Sequence, residues 1–186
     1  ILHCQESFPM VPILDQQTLE FVSRSPDQTQ RLGARLGALL EGGDVICLEG
    51  ALGSGKTCLA QGVGRGWGAG QPLISPSFVL VREYMRPGNG DRNAQGMHLY
   101  HVDLYRISSV SEALGLGVDE FLGEEHSVFV IEWAERVRSL IPPEHLWITL
   151  DFVDRADQRR RSLHFAAQGE RHTTLLREFR REAFGA

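Results

Sequence analysis

The sequence predicts an α/β fold, three layers built on a mixed, mostly parallel central sheet. Three observations carry this. Short apolar runs of strand length, Val45–Leu48 and Val128–Ile131, alternate with longer stretches whose apolar residues recur at helical spacing. Between the first run and an expected helix lies GALGSGKT, residues 50–57, which satisfies G-x-x-x-x-G-K-T. The 186 residues, 42% of them hydrophobic, suit one domain with one core. The strand–loop–helix order is that of P-loop NTPase-like folds.

Taken in order, residues 1–17 form an N-terminal extension whose Phe8, Val11, Ile13 and Leu14 either cover a core edge or stand apart from it. Residues 18–186 form a single P-loop ATPase domain. Thr18–Ser23 reads as a strand. Ser25-Pro26-Asp27-Gln28 starts a helix: Ser25 caps, Pro26 suits the first turn, and Gln28 completes a capping box. Leu32, Leu36, Leu39 and Leu40 make its apolar stripe, and Gly42 and Gly43 stop it. Val45–Leu48 is a buried parallel strand, Gly50–Gly55 a loop, and Lys56 opens a helix running to about Gly66.

Gln71–Ser77 reads as a loop and Phe78–Met85 as a strand. Arg86–Gly96 is an exposed polar connection, and Met97–Leu104 the returning strand. A short helix covers Val110–Leu114. Val128–Ile131 is a second buried strand, ending at Glu132. Leu146–Phe152 and Ser162–Ala167 are further strands, and Thr173–Phe184 is a closing helix with Leu175, Leu176 and Phe179 on one face.

A net charge of -5 excludes a general nucleic-acid footprint. Arginines outnumber acids between Arg155 and Arg181, either as solvated surface or as an interaction face. Lys56 is the only lysine. A classical guanine reader, N-K-x-D, needs another, which argues against a GTP preference. Cys4, Cys47 and Cys58 lack metal-ligand spacing and read as reduced thiols of a cytoplasmic protein. No apolar run reaches membrane-spanning length, and the first residues lack a signal-peptide pattern.

Gly50, Gly53 and Gly55 let the backbone amides of the loop, including those of Ala51, Leu52 and Ser54, curl around phosphate oxygens. The helix amino end, through Cys58, adds a favourable field. Lys56 brings a mobile positive charge to the β- and γ-phosphates, and the Thr57 hydroxyl is a Mg²⁺ ligand. Glu132 ends VFVIE, where a carboxylate organises Mg²⁺, unless it is an ordinary strand-end glutamate. Asp103 ends HLYHVD and either orients the attacking water, supports the metal, or caps the chain locally with Arg106. Ser75 and Ser77 sit where a loop senses the γ-phosphate, or they make a plain turn around Pro76. Trp133 either packs as core or presents its face beside the nucleotide.

The stretches LEGALGSGKTCLA, SPSFVLVREY, HVDLYR, LGVDEFL and VFVIEWAERV, in this order, resemble the bacterial TsaE family (older name YjeE) across roughly residues 18–181. The resemblance implies a small Mg²⁺-dependent ATPase, weak alone, that supports a TsaB–TsaD heterodimer in threonylcarbamoyl modification of a tRNA adenosine next to the anticodon. tRNA is met mainly through that complex. The resemblance further implies Lys56, Asp103 and Glu132 as catalytic, Thr57 and Glu132 as Mg²⁺ ligands, and Ser77 and Trp133 beside the nucleotide. Ser77 stands where the family commonly has threonine, Ala51 where it usually has an acid, and Phe121 where it often has tyrosine. A non-hydrolysing nucleotide-state module and a small-metabolite kinase are the other classes open at this point.

Overall fold

The computed structural model describes residues 16–75, 80–86, 97–118, 122, 124–154 and 157–185. Ser77, Phe121, residues 1–15 of the expected extension and residues 87–96 of the expected polar connection lie outside them. Seven strands are described: β1 (Thr18–Ser23), β2 (Val45–Glu49), β3 (Val81–Met85), β4 (His98–Asp103), β5 (Ser127–Glu132), β6 (His145–Asp154) and β7 (Asp157–Gln168). The helices are α1 (Pro26–Gly37), α2 (Lys56–Trp67), α3 (Val110–Gly115) and α4 (Glu170–Phe184), with a 3₁₀ segment at Ala134–Leu140.

The strands form one sheet in the order β1-β7-β6-β2-β5-β4-β3. Its middle is parallel: β2 pairs with β5 and β6, and β5 with β4. Its flanks are antiparallel: β1 with β7, β7 with β6, and β3 with β4. Three parallel and three antiparallel pairs replace the mostly parallel sheet that the sequence predicts. The reason is connectivity. β7 begins only three positions after β6 ends, and so short a connection forces opposite directions, whereas parallel neighbours need a crossover.

Strand alternation divides the core. In β5, Val128 and Val130 pack on the side of α1, α2 and α4, with Leu36, Leu59 and Phe179. Phe129 and Ile131 face the other side, with Leu104, Ile107 and Val137. Each such fully buried side chain contributes about 1.5–3 kcal/mol.

The expected Ser25 cap is present, the Gln28 amide donating to Ser25 Oγ at 3.2 Å, but the box does not close on the cap residue: Gln28 Oε1 accepts from the amide of Arg24, one position earlier, at 2.8 Å. The helix ends at Gly37, ahead of the two glycines, because Leu39 and Leu40 turn back onto the Leu36 and Gly37 carbonyls in tighter three-residue steps. α4 begins a turn early, at Glu170, where Thr173 bonds the Gly169 carbonyl through both amide and hydroxyl. The 3₁₀ segment was not legible in the sequence.

α1 and α2 meet along a seam lined by glycines. A Cβ at Gly33 would overlap the Leu59 carbonyl, and one at Gly37 the Val63 carbonyl. From the other side, Gly62 faces the Gln30 carbonyl and Gly66 that of Ala34. The two backbones touch, which fixes α2 against α1. Among the described residues, no helix is long and apolar enough to cross a membrane.

Candidate phosphate-binding site

The carboxyl ends of β2, β4 and β5 lie side by side, where open α/β sheets hold their ligands. β2 ends at Glu49, the chain bends through Gly50–Gly55, and α2 begins at Lys56. At Gly50, φ is 145°, and a Cβ would overlap the Leu150 carbonyl. Gly55 caps α2 at φ 105° with no side-chain hydrogen bond, so the first-turn amides keep their donors directed out of the helix. Ser54 Oγ is buried and has no hydrogen-bond partner among the described residues.

Lys56 Nζ donates to the Gly50 carbonyl at 2.6 Å and the Ala51 carbonyl at 3.1 Å. It lies 3.6 Å from the centre of the Trp133 ring, a cation–π contact. Burial lowers the Lys56 pKa below the ordinary lysine value; the Glu132, Glu135 and Asp103 carboxylates oppose that shift, and Arg136 adds to it. Burial likewise raises the Glu135 carboxyl. Trp133 leaves β5 at φ 61° and ψ 37°, an outlying conformation for a bulky residue. Its amide is anchored on the Leu48 carbonyl at 2.9 Å, and Tyr105 packs on its ring with centroids 5.1 Å apart. Both readings of Trp133 meet here, since it packs against the core and faces the pocket.

Thr57 Oγ1 donates to Glu132 Oε2 at 2.8 Å. The other carboxylate oxygen, Oε1, is 2.8 Å from His101 Nε2. Asp103 is hydrogen-bonded at both oxygens: Oδ2 accepts from Ser75 Oγ at 2.9 Å and Oδ1 from the Tyr105 amide at 3.0 Å. Lys56, Thr57, Asp103, Glu132 and Trp133 line one pocket of about 460 Å³, with Leu52, Gly53 and Gly55 at its rim. Ala51 and Ser54 belong to the loop behind it. The Cys58 thiol turns away, onto the Pro26 carbonyl of α1 at 3.3 Å.

Sequence reasoning missed two contributors. His101 is buried two positions before Asp103, and strand alternation places both on one face of β4. Arg161 of β7 donates from Nε to the Ser54 carbonyl at 3.0 Å and from Nη2 to the Gly53 carbonyl at 3.1 Å. Its guanidinium stacks on Phe152 at 4.1 Å. Other members of the Arg-rich end also turn inward: Arg171 bonds Asp44, and Arg180 bonds the Thr18 carbonyl.

The family model described as threonylcarbamoyl adenosine biosynthesis protein TsaE matches residues 23–162, a span that holds the whole pocket. The chain belongs to the TsaE family. It is 34% identical to the Bacillus subtilis tRNA threonylcarbamoyladenosine biosynthesis protein TsaE over 163 residues, covering 88% of this chain and 94% of that protein. The Treponema pallidum TsaE is 40% identical over 129 residues, covering 69% of this chain and 88% of the relative. Among solved structures, Bacillus subtilis YdiB superposes with a TM-score of 0.69 at 29% identity, over 90% of this chain and 97% of that one. This TsaE-family chain therefore matches these relatives over most of their length.

Proposed function

We propose that this TsaE-family chain is a Mg²⁺-dependent ATPase that acts as an accessory factor in threonylcarbamoyladenosine formation on tRNA, through a TsaB–TsaD complex in the cytoplasm. The observation that carries the reading is the Thr57–Glu132 hydrogen bond at the amino end of α2, directly beside Lys56.

The residues fit the ligand. Uncapped first-turn amides and a glycine cradle suit phosphate oxygens. A hydroxyl and a carboxylate suit Mg²⁺, which takes one or two protein ligands and fills its remaining positions with phosphate and water. That donor set is consistent with the lack, among the described residues, of any cluster of three His, Cys, Asp or Glu side chains. When bound, Mg²⁺ supplies charge neutralisation at the β- and γ-phosphates. Thr57 and Glu132 hold it. Lys56 and the loop amides stabilise charge that develops on the phosphate oxygens. Asp103, itself fixed by Ser75 and the Tyr105 amide, orients the attacking water.

The test is ATP hydrolysis by the chain alone and with its matched TsaB–TsaD pair, using Lys56→Ala as the blank. Stimulation by the pair, absent in the blank, is expected. Tight three-way assembly with no turnover would sink the hydrolytic reading in favour of a nucleotide-state sensor.

A further inference from the structure

We propose that His101 is a positioning residue that holds the Glu132 carboxylate in its metal-binding orientation; this rests on the assignment of Glu132 to Mg²⁺. His101 and Glu132 stand on neighbouring parallel strands, with Asp103 opposite Glu132 in the register. His101 lies on the same face as Asp103, turned toward the α2 side of the sheet along with Leu99. The two side chains are sealed, 0% and 3% exposed.

A buried carboxylate is costly unless its oxygens are hydrogen-bonded. Glu132 meets that demand with two donors from two different elements: the Thr57 hydroxyl of α2 on Oε2 and His101 Nε2–H of β4 on Oε1, each at 2.8 Å. One donor leaves the carboxylate free to swing about its bond to that donor. Two donors on opposite oxygens fix its plane. Because Thr57 spends its proton on Glu132, the hydroxyl lone pairs face away from the carboxylate and are free to meet a cation. The imidazole contributes here as a fixed N–H donor. Its Nδ1 is buried and has no hydrogen-bond partner among the described residues, so the bond to Glu132 ties the ring to the site. Partners of this outer kind typically change metal affinity by about 10–100-fold when removed.

The experiment compares wild type, His101→Leu, His101→Gln and Glu132→Gln. Mn²⁺ binding is read by electron paramagnetic resonance in the presence of a non-hydrolysable ATP analogue. Binding of the same analogue without metal and circular dichroism are the references. His101→Leu should weaken Mn²⁺ binding by about tenfold or more, with metal-free analogue binding unchanged. His101→Gln, whose amide can reach the place of Nε2, should recover most of the loss. Should the leucine variant lose its fold, His101→Asn, with an amide too short to reach, takes its place. A folded His101→Leu that binds Mn²⁺ like wild type overturns the proposal, as does equal impairment of the Leu and Gln variants, which marks a packing role. If Glu132→Gln weakens Mn²⁺ binding while His101→Leu does not, only the role of His101 falls. If Glu132→Gln binds Mn²⁺ normally, the metal assignment falls and this proposal falls with it.

Discussion

Arg161 holds the backbone oxygen of Ser54 at 3.0 Å across 107 positions of sequence, and with a second nitrogen takes that of Gly53. The Gly50–Gly55 loop is thus gripped from behind by β7. Tying down the Ser54 carbonyl turns the Gly55 amide of the same planar peptide unit the opposite way, while the Ser54 amide is taken by the Ala51 carbonyl at 3.1 Å. Arg161→Ala removes two charge-assisted bonds of about 1.5–3 kcal/mol each. ADP affinity, read by calorimetry, should fall by about tenfold or more with the fold retained. Arg161→Lys should recover only part, because a lysine lacks the fork that meets both oxygens. Wild-type affinity in the alanine variant would remove Arg161 from the site.

Lys56→Ala should abolish saturable ATP binding at concentrations that saturate the wild type. The loss of contacts between the ammonium and phosphate is worth at least about 1.5–3 kcal/mol. Fluorescence or calorimetric titration decides it, and an unchanged isotherm would contradict the assignment.

Asp103→Asn keeps the size of the side chain and an acceptor for the Tyr105 amide. Steady-state turnover in the assembled complex should drop about 100-fold, while ADP affinity stays near that of the wild type. Equal turnover in the two proteins would exclude a role in orienting water.

Gly37→Ala tests the seam between α1 and α2, where a new methyl group meets the Val63 carbonyl. Overpacking of this kind costs about 1–3 kcal/mol. Chemical denaturation should show that loss, whereas Gly115→Ala, with open space around its Cα, should not show an overpacking penalty.

His172 sets an acid limit on stability. Its Nε2 accepts the Val45 amide at 3.3 Å, a role open only to the neutral ring. Burial lowers its pKa below the ordinary 6.5; Asp44 and Glu144 oppose that shift, while Arg171 and His145 add to it. The unfolded chain therefore binds the proton more readily than the folded one. Stability is complete above the ordinary histidine value and falls as pH drops through it, levelling off only below the lowered folded value. Urea midpoints for wild type and His172→Gln, compared between about pH 7 and about pH 5, should show a shallower acid limb in the variant. Parallel limbs would assign the loss to other groups.

Much of this was legible in the sequence because it is local. The helix cap at Ser25, the strand at Val45, the glycine loop and the position of Glu132 each follow from neighbours a few positions apart. His101 and Arg161 were not legible in that way: their partners lie 31 and 107 positions off. The alternation H-V-D at 101–103 does carry a signal for His101, since it shares a face with Asp103. The seam was written in the four-residue spacings Gly33–Gly37 and Gly62–Gly66, which read singly as helix-weakening residues. Sheet direction was misjudged at the flanks, where a short connection and two edge strands, rather than the central crossovers, decide it.

Where two helices meet backbone to backbone, as at these four glycines, little soft packing lies between them to absorb a displacement. α1 and α2 therefore act as a single lever. A displacement of α1, whose outer surface exposes Arg31 and Arg35, bears on the backbone of α2, at whose head stand Lys56 and Thr57.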